Sequence, residues 1–516
     1  MKSNKAVWEE FERLSSYLKP PETRCPNIKC ISNTDPSIEQ SFKKRGFTHS
    51  GTQRFQCLHC KKSFSAGDGT RTHRRPEINI RFFDLLMIHA PLRKIAKHLN
   101  ISQKTLYDKI DFLHRQCMNF VADREKRLID GKLKLDRLYL ATDRQIQITN
   151  WTRREDKRNT ELYGIGTACL RSGYVFAFNF NFDAHLTQNE IELLALENGD
   201  NDKPKHHRTT ARIWLTDEFE AATKRKKQKA EQPAFTLYDA AAQRSAEEAT
   251  VGDTSTSEDF DETTQLPPKG VLIHNEYTMM GHFMLVKHLL QHVGKTRFYM
   301  DQDSGMKNAY LSIFKQNIVD ENSDGFLVRS VKNLSVDEKR RALAETNRMI
   351  YAMTGRPRQD LTSKEYRDLV NGLIASDLNN LVTVPKSTER WLTYPVATMP
   401  EPEKIVAAVT NITKYDEMHQ ANLYRKASLH AIDRFFMVTR RDMSLMERPF
   451  SSATNKSRTW NGYSAYNPAM LAKLGDIYRV YFNYVNTNDK GKTPAMRLGL
   501  AKGPVAAEKI IYFGKY

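Results

Sequence analysis

Two sets of side chains in this sequence have the types and spacing for chemistry. The first is four cysteines in two close pairs, Cys25 and Cys30 in CPNIKC and Cys57 and Cys60 in QCLHC. Four thiolates suit tetrahedral zinc, and metal binding supplies folding free energy that so short a segment cannot obtain from a core of its own. The first pair has four intervening residues, a looser turn than two would give, and His49 or His59 is the alternative to one cysteine. Cys117 and Cys169 fall in helical and strand patterns and read as core residues.

The second set is acidic. Asp143 follows the alternating run LYLAT and Asp301 ends the strand-like RFYM, so both carboxylates are expected at the ends or edges of buried strands. Acids on neighbouring strands share hard divalent cations such as Mg²⁺ or Mn²⁺. Two such ions activate an attacking oxygen and stabilise a leaving oxygen in phosphodiester chemistry. Asp303 competes with Asp301, being two residues on and able to point to the same side. A third acid is expected from a helix packed on that sheet. Asp433 in LHAIDRFFMVTRRDMSLMERPF is the choice, since Arg434, Arg440 and Arg441 follow it and suit phosphate; Glu447 and Glu417 are the alternatives.

These residues require a modular scaffold, and 516 residues allow about three domains. Residues 1–24 read as a helical lead-in and 25–65 as a zinc ribbon. In 66–130 the apolar spacing is helical. Leu92, Ile95, Ala96 and Leu99 make one helical face, Asn100 and Ile101 a turn, and Ser102 an N-cap for a second helix. That pair reads as a helix-turn-helix, with Leu106, Ile110 and Leu113 inward and Gln103, Lys104, Tyr107 and Lys109 toward a DNA major groove. From Leu133 the pattern turns to strands, first a meander of LDRLYLATDRQIQI, ELYGIGTACL and GYVFAFNFNF.

The expected order continues with a first core part over 131–196, a largely flexible charged insertion over 197–269 and a second core part over 270–333. A helical insertion over 334–400 and a closing core part over 401–516 follow, the last containing one long helix from about Asp416 to Met446.

Net charge is +19, and residues 1–137 hold 28 Lys and Arg against 15 Asp and Glu, so thirteen of those nineteen charges lie in the first quarter of the chain. A polyanionic partner is expected there, double-stranded DNA above all. No apolar run approaches the roughly 18 residues of a spanning helix, and the start lacks the pattern of a signal peptide. A cytoplasmic, nucleoid-associated protein without a membrane partner is the expectation.

The order of these parts resembles bacterial insertion-sequence transposases with an integrase-like, RNase H-type catalytic core. GTQRFQCLHCKKSF is similar to that family's second zinc knuckle, and the helix pair stands where its reader of DNA ends stands. DRFFMVTRRDMSLMERP is similar to its acid-bearing helix, and YRVYFNYVNTNDKGKTPAMRLGL to its closing segment, with Thr493, Pro494 and Ala495 at the turn. The resemblance implies a multidomain chain in which a zinc ribbon and a helical DNA-binding domain precede an α/β core, a mixed sheet flanked by helices, with insertions. It implies Asp143, Asp301 and Asp433 as the catalytic, metal-binding triad.

The implied activity is cleavage at an element's ends and strand transfer into target DNA by a homo-oligomer. The family usually has Glu at the third position, and 132 residues separate Asp301 from Asp433. An inactive DNA-binding regulator and a structure-specific nuclease on the same core are the competing readings.

Overall fold

The computed structural model describes residues 2–19, 25–34, 42–47, 53–65, 73, 75–153, 155–224, 236–250, 258, 260–303, 305–331, 334–385, 387–447 and 463–513, with the side chains of 34 and 247–250 excepted. His49, Arg448, Pro449, most of the basic run KRKKQK and much of the acid-rich stretch after it lie outside the described residues.

Near the start, α1 (Asn4–Ser15) is capped by the Ser3 side chain, which accepts from the Ala6 N–H. It is no separate lead-in. Its fully buried Glu10 pairs with Arg13 and Arg212 and accepts from the Thr278 hydroxyl. Arg13 in turn donates to the carbonyls of Phe180 and Phe182. The short α2 (Ile31–Thr34) and a three-stranded antiparallel sheet follow, β1 (Phe42–Phe47), β2 (Gln53–Cys57) and β3 (Ser63–Ser65). Phe42, Phe55 and Phe64 give this small unit its aromatic contacts.

The helical region holds α3 (Asn79–Leu86), α4 (Leu92–Leu99) and the 27-residue α5 (Gln103–Ile129). Asn100 at φ 51° ends α4, and the Ser102 side chain accepts from the Thr105 N–H to start α5. Leu92, Ile95, Ala96, Leu99, Leu106, Ile110 and Leu113 are all buried, as the spacing predicts.

The large unit is an eight-stranded mixed sheet. Its first strands are β4 (Arg137–Thr149), β5 (Thr160–Cys169) and β6 (Val175–Phe180), an antiparallel meander. A two-stranded ribbon of β7 (Phe182–Asp183) and β8 (Val271–Leu272) brackets α6 (Gln188–Glu197), α7 (Thr216–Lys224) and α8 (Leu237–Thr250). The described part of the 197–269 insertion is therefore folded, contrary to a flexible loop. Trp214, Phe219 and Phe260 are buried against one another and against Tyr163 of β5.

Then come α9 (Asn275–Leu289), β9 (Lys295–Asp301), α10 (Met306–Ile313), α11 (Lys315–Val319) and β10 (Ser323–Ser330). Both β9 and β10 run parallel to β4. The second insertion supplies α12 (Val336–Thr354) and α13 (Ser363–Asp377), each begun by a capping box. Three more strands, β11 (Val382–Thr383), β12 (Arg390–Thr393) and β13 (Lys404–Ala408), complete the order β11-β12-β13-β10-β9-β4-β5-β6.

The expected single helix after Asp416 is two: α14 (Glu417–Arg425) and α15 (His430–Asp442). Glu401 causes the break, because its carboxylate accepts from the Ser428 hydroxyl and the Leu429 N–H and draws those groups out of a helical path. The chain closes with α16 (Pro468–Tyr484), α17 (Pro494–Leu498) and α18 (Ala507–Ile511).

Helices cover both faces of the sheet. On one, His282 of α9 bonds Thr167 of β5 and Asn179 of β6. On the other, α15 and α16 pack on Phe178 and on the glycines of β5. Among the described residues no helix is long and apolar enough to cross a membrane.

Candidate metal centre and acidic sheet face

The thiols of Cys25, Cys30, Cys57 and Cys60 lie within 4.8 Å of one another, three of them in buried residues. Cys25 Sγ is 3.4 Å from Cys60 Sγ, and Cys30 Sγ is 3.7 Å from Cys57 Sγ. A tetrahedron with Zn–S of about 2.3 Å has S···S edges of about 3.8 Å, so the four-sulfur set fits zinc closely. Burial opposes ionisation of Cys57, yet the Ser32 hydroxyl and the backbone N–H groups of Cys60 and His59 outweigh it and pull its thiol down to about 6. A thiolate held by such donors is the form a metal requires. The loop of four residues between Cys25 and Cys30 closes through a Cys30 N–H donated to the Asn27 carbonyl.

The acidic residues sit on the eight-stranded sheet. Leu138, Tyr139, Leu140, Ala141 and Thr142 of β4 pair in parallel register with Thr296, Arg297, Phe298, Tyr299 and Met300 of β9. One step further along both strands brings Asp143 level with Asp301, on strands that lie about 4.8 Å apart in a sheet. Side chains alternate across a strand, so the face of each acid follows from its neighbours. Asp143 is the cross-strand partner of Gly166. A Cβ at Gly166 would lie 2.7 Å from Ile432 and 3.1 Å from Phe436 of α15. Asp143, 3% exposed, therefore faces the α15 side. Tyr299, two residues before Asp301, bonds the Leu423 carbonyl on that same side, so Asp301 shares it.

Helix α15 runs along β4 rather than across it. Its first residues, His430 and Ala431, share a cavity wall with Tyr139, while Arg440 NH1 donates to Gln145 Oε1 at 2.8 Å. Asp433 precedes Arg440 by two turns, about 10.5 Å along the axis, and so lies on the same stripe of the helix. Gln145 is two residues past Asp143. That spacing sets Asp433, half-buried, alongside the Ala141–Asp143 level of β4. Among the described residues, the four cysteines are the one group of three or more Cys, His, Asp or Glu whose ligand atoms come within 4.8 Å of one another.

The alternatives to these acids lie elsewhere. Asp303 forms a two-pronged ion pair with Arg144, which alternates with Asp143 and lies over the Tyr163 ring on the α9 side, so Asp303 does not share the side of Asp143. Glu447 faces His89 at 3.4 Å. Glu417 opens α14, whose His419 bonds Arg297 near the start of β9, the opposite end from Asp301. Arg434 is exposed at the cavity and Arg441 is exposed on the last turn of α15.

In the helical region Gln103, Lys104 and Tyr107 are exposed along the first turns of α5. Lys109 is not. It is 4% exposed and donates to Asn79 Oδ1 at 2.6 Å and to the Arg75 carbonyl at 3.1 Å, tying α5 to α3 instead of facing a groove. A positive residue at this spacing gave no sign of its buried partners, which lie 30 and 34 residues away.

Sequence reasoning also missed the residues around the acids. Gln145 orients Arg440, and Arg144 holds Asp303. Gln302 donates to the Ala241 carbonyl and accepts from Arg329, bringing α8 of the insertion over the end of β9. Glu258 accepts from the Asn275 and Trp214 N–H groups, and burial pushes its carboxyl up to about 7. Comparison with protein-family models, with curated proteins and with solved structures finds no match to this chain.

Proposed function

We propose that this protein is a DNA transposase of the insertion-sequence type, with an RNase H-like core that cuts element ends and joins them to target DNA. The observation that carries the reading is the level register of Asp143 and Asp301 on adjacent parallel strands, facing the helix that bears Asp433. The strand order within β6-β5-β4-β9-β10, an antiparallel meander followed by two strands parallel to its first, agrees with an RNase H-like core.

In this reading Asp143, Asp301 and Asp433 hold Mg²⁺ or Mn²⁺, which supplies activation of the attacking oxygen and stabilisation of the leaving one. Arg440, fixed by Gln145, and Arg441 neutralise the phosphates beside them. The α4–α5 pair acts as the helix-turn-helix, with Gln103, Lys104 and Tyr107 toward the major groove. The cysteine site holds a structural zinc. Two DNA ends require at least two copies of the chain.

A regulator that binds DNA without cutting it is the second reading, since the cysteine cluster and the exposed Gln103, Lys104 and Tyr107 of α5 would serve DNA binding without any carboxylate. Cleavage and joining of duplexes carrying the element's ends, with Mg²⁺ or Mn²⁺, separates the two. Joined product from the wild type that disappears in Asp143→Asn and Asp433→Asn supports the transposase. Specific binding with no cutting in either metal rejects it in favour of the regulator, and cut ends without joined product point to a nuclease.

A further inference from the structure

A cavity of about 560 Å³ opens beside the start of α15, between the β5–β6 turn and the segment that leads from α16 into α17. Six basic residues line it: Arg171, Lys426, His430, Arg434, Lys492 and Arg497. Among the described residues no carboxylate does. Arg171, Arg434, Lys492 and Arg497 are exposed at its mouth, and among the described residues none of the four forms a salt bridge. A concave surface lined by one sign of charge focuses the potential and concentrates anions there.

The neutral part of the wall narrows the ligand. Asn486, Thr487 and Asn488 add hydrogen-bonding groups, and Leu170, Phe482 and Pro494 give an apolar floor. A simple inorganic ion would use the cations and leave that floor empty. The volume falls within the range of pockets that take small organic ligands, and planar guanidinium groups match phosphate oxygens two at a time.

We propose that this cavity binds a nucleoside phosphate, with its phosphates among Arg171, Arg434, Lys492 and Arg497 and its sugar and base over the apolar floor. The same chemistry comes from two sources, a free nucleotide or one unit of a DNA strand. The proposal does not depend on the transposase reading, because binding here needs neither Asp143 nor a catalytic metal.

The test uses the full chain with its zinc, at physiological salt and without added divalent metal. Fluorescently labelled dATP and a labelled twelve-nucleotide single strand are titrated against the wild type, against an Arg171→Gln, Arg497→Gln double variant, and against Lys492→Gln. The expected result is saturable binding of at least one probe, weakened about tenfold in the double variant and less in Lys492→Gln, as loss of charge-assisted hydrogen bonds predicts. Equal binding of both probes identifies a free-nucleotide site, and binding of the strand alone identifies a unit of DNA. Because Lys492 is exposed, its replacement leaves the fold intact. No saturable binding by the wild type, or the same affinity in all three proteins, overturns the proposal.

Discussion

Replacing Glu125 with Gln should destabilise the protein by about 3–5 kcal/mol, the usual cost of removing one partner of a buried ion pair. Glu125 is fully buried on α5 and accepts from Arg479 of α16 at 2.7 Å, Tyr174 of the β5–β6 turn at 2.9 Å and Tyr17 at 2.5 Å. Arg479 is 2% exposed and also donates to the Phe176 carbonyl at 2.7 Å. Glutamine keeps the shape and loses the charge, so the guanidinium is left in the interior with neutral partners, the Phe176 carbonyl, the new amide oxygen and the Tyr17 ring. Arg479→Met leaves the buried carboxylate with two tyrosine hydroxyls and no counter-charge, and should cost a similar amount.

The two losses should not add, because the double variant Glu125→Gln, Arg479→Met removes both buried charges together and their desolvation with them. Its cost should fall well below the sum of the singles. Denaturant unfolding followed by tryptophan fluorescence reports all three, since Trp214 and Trp391 are buried in and beside the large sheet. A Glu125→Gln midpoint within about 1 kcal/mol of the wild type would refute the reasoning. So would strict additivity. The pair matters beyond stability, because α5 carries the exposed Gln103, Lys104 and Tyr107 at one end and is fastened to the sheet domain through Glu125 near the other.

Three further outcomes are expected. The purified chain should carry one zinc ion, and chelation or Cys57→Ser should abolish hydrogen-exchange protection of β1–β3 while leaving β4 and β9 protected; full protection of β1–β3 without metal would contradict this. Gly166→Val should cost about 1–3 kcal/mol by overpacking and should push α15 off the sheet, because even a Cβ would meet Ile432 at 2.7 Å; an unchanged denaturation midpoint would place the helix farther away than described. His282 is held neutral by burial and then by the charge of Arg479, its value lowered to about 3, while the unfolded chain titrates near 6.5. The unfolded state therefore binds the extra proton between those values, and stability should fall as pH drops from about 6.5 toward 3, by up to about 1.4 kcal/mol per unit. His282→Gln should remove that component, and an identical pH profile in the variant would show that another group carries it.

Much of the scaffold was legible because local periodicity fixes local structure. Alternation in LDRLYLATDRQIQI, ELYGIGTACL and GYVFAFNFNF identifies the meander, and the helical spacing of Leu92, Ile95, Ala96 and Leu99 identifies the buried face of α4. The paired spacing of the cysteines likewise identifies a four-sulfur cluster before any coordinate is known. The folded part of the first insertion was harder to read, because its few core aromatics, Trp214, Phe219 and Phe260, are scattered among charged residues without a period.

By itself, then, the sequence determined the meander, the α4–α5 helix pair and the cysteine cluster, since each depends on residues near one another in the chain or on metal chemistry at fixed spacing; strands β11 and β12, inside the insertion expected to be helical, were not legible. Only the tertiary structure decided which polar groups meet. It placed Asp143 level with Asp301 across a strand pair separated by 158 residues, split the expected long helix through Glu401, took Lys109 out of reach of any groove and matched Asp303 to Arg144. It also drew Arg171, Arg434 and Arg497 around one cavity. Such encounters follow from strand register and helix packing, which sum contacts over the whole chain, and no local pattern carries that sum.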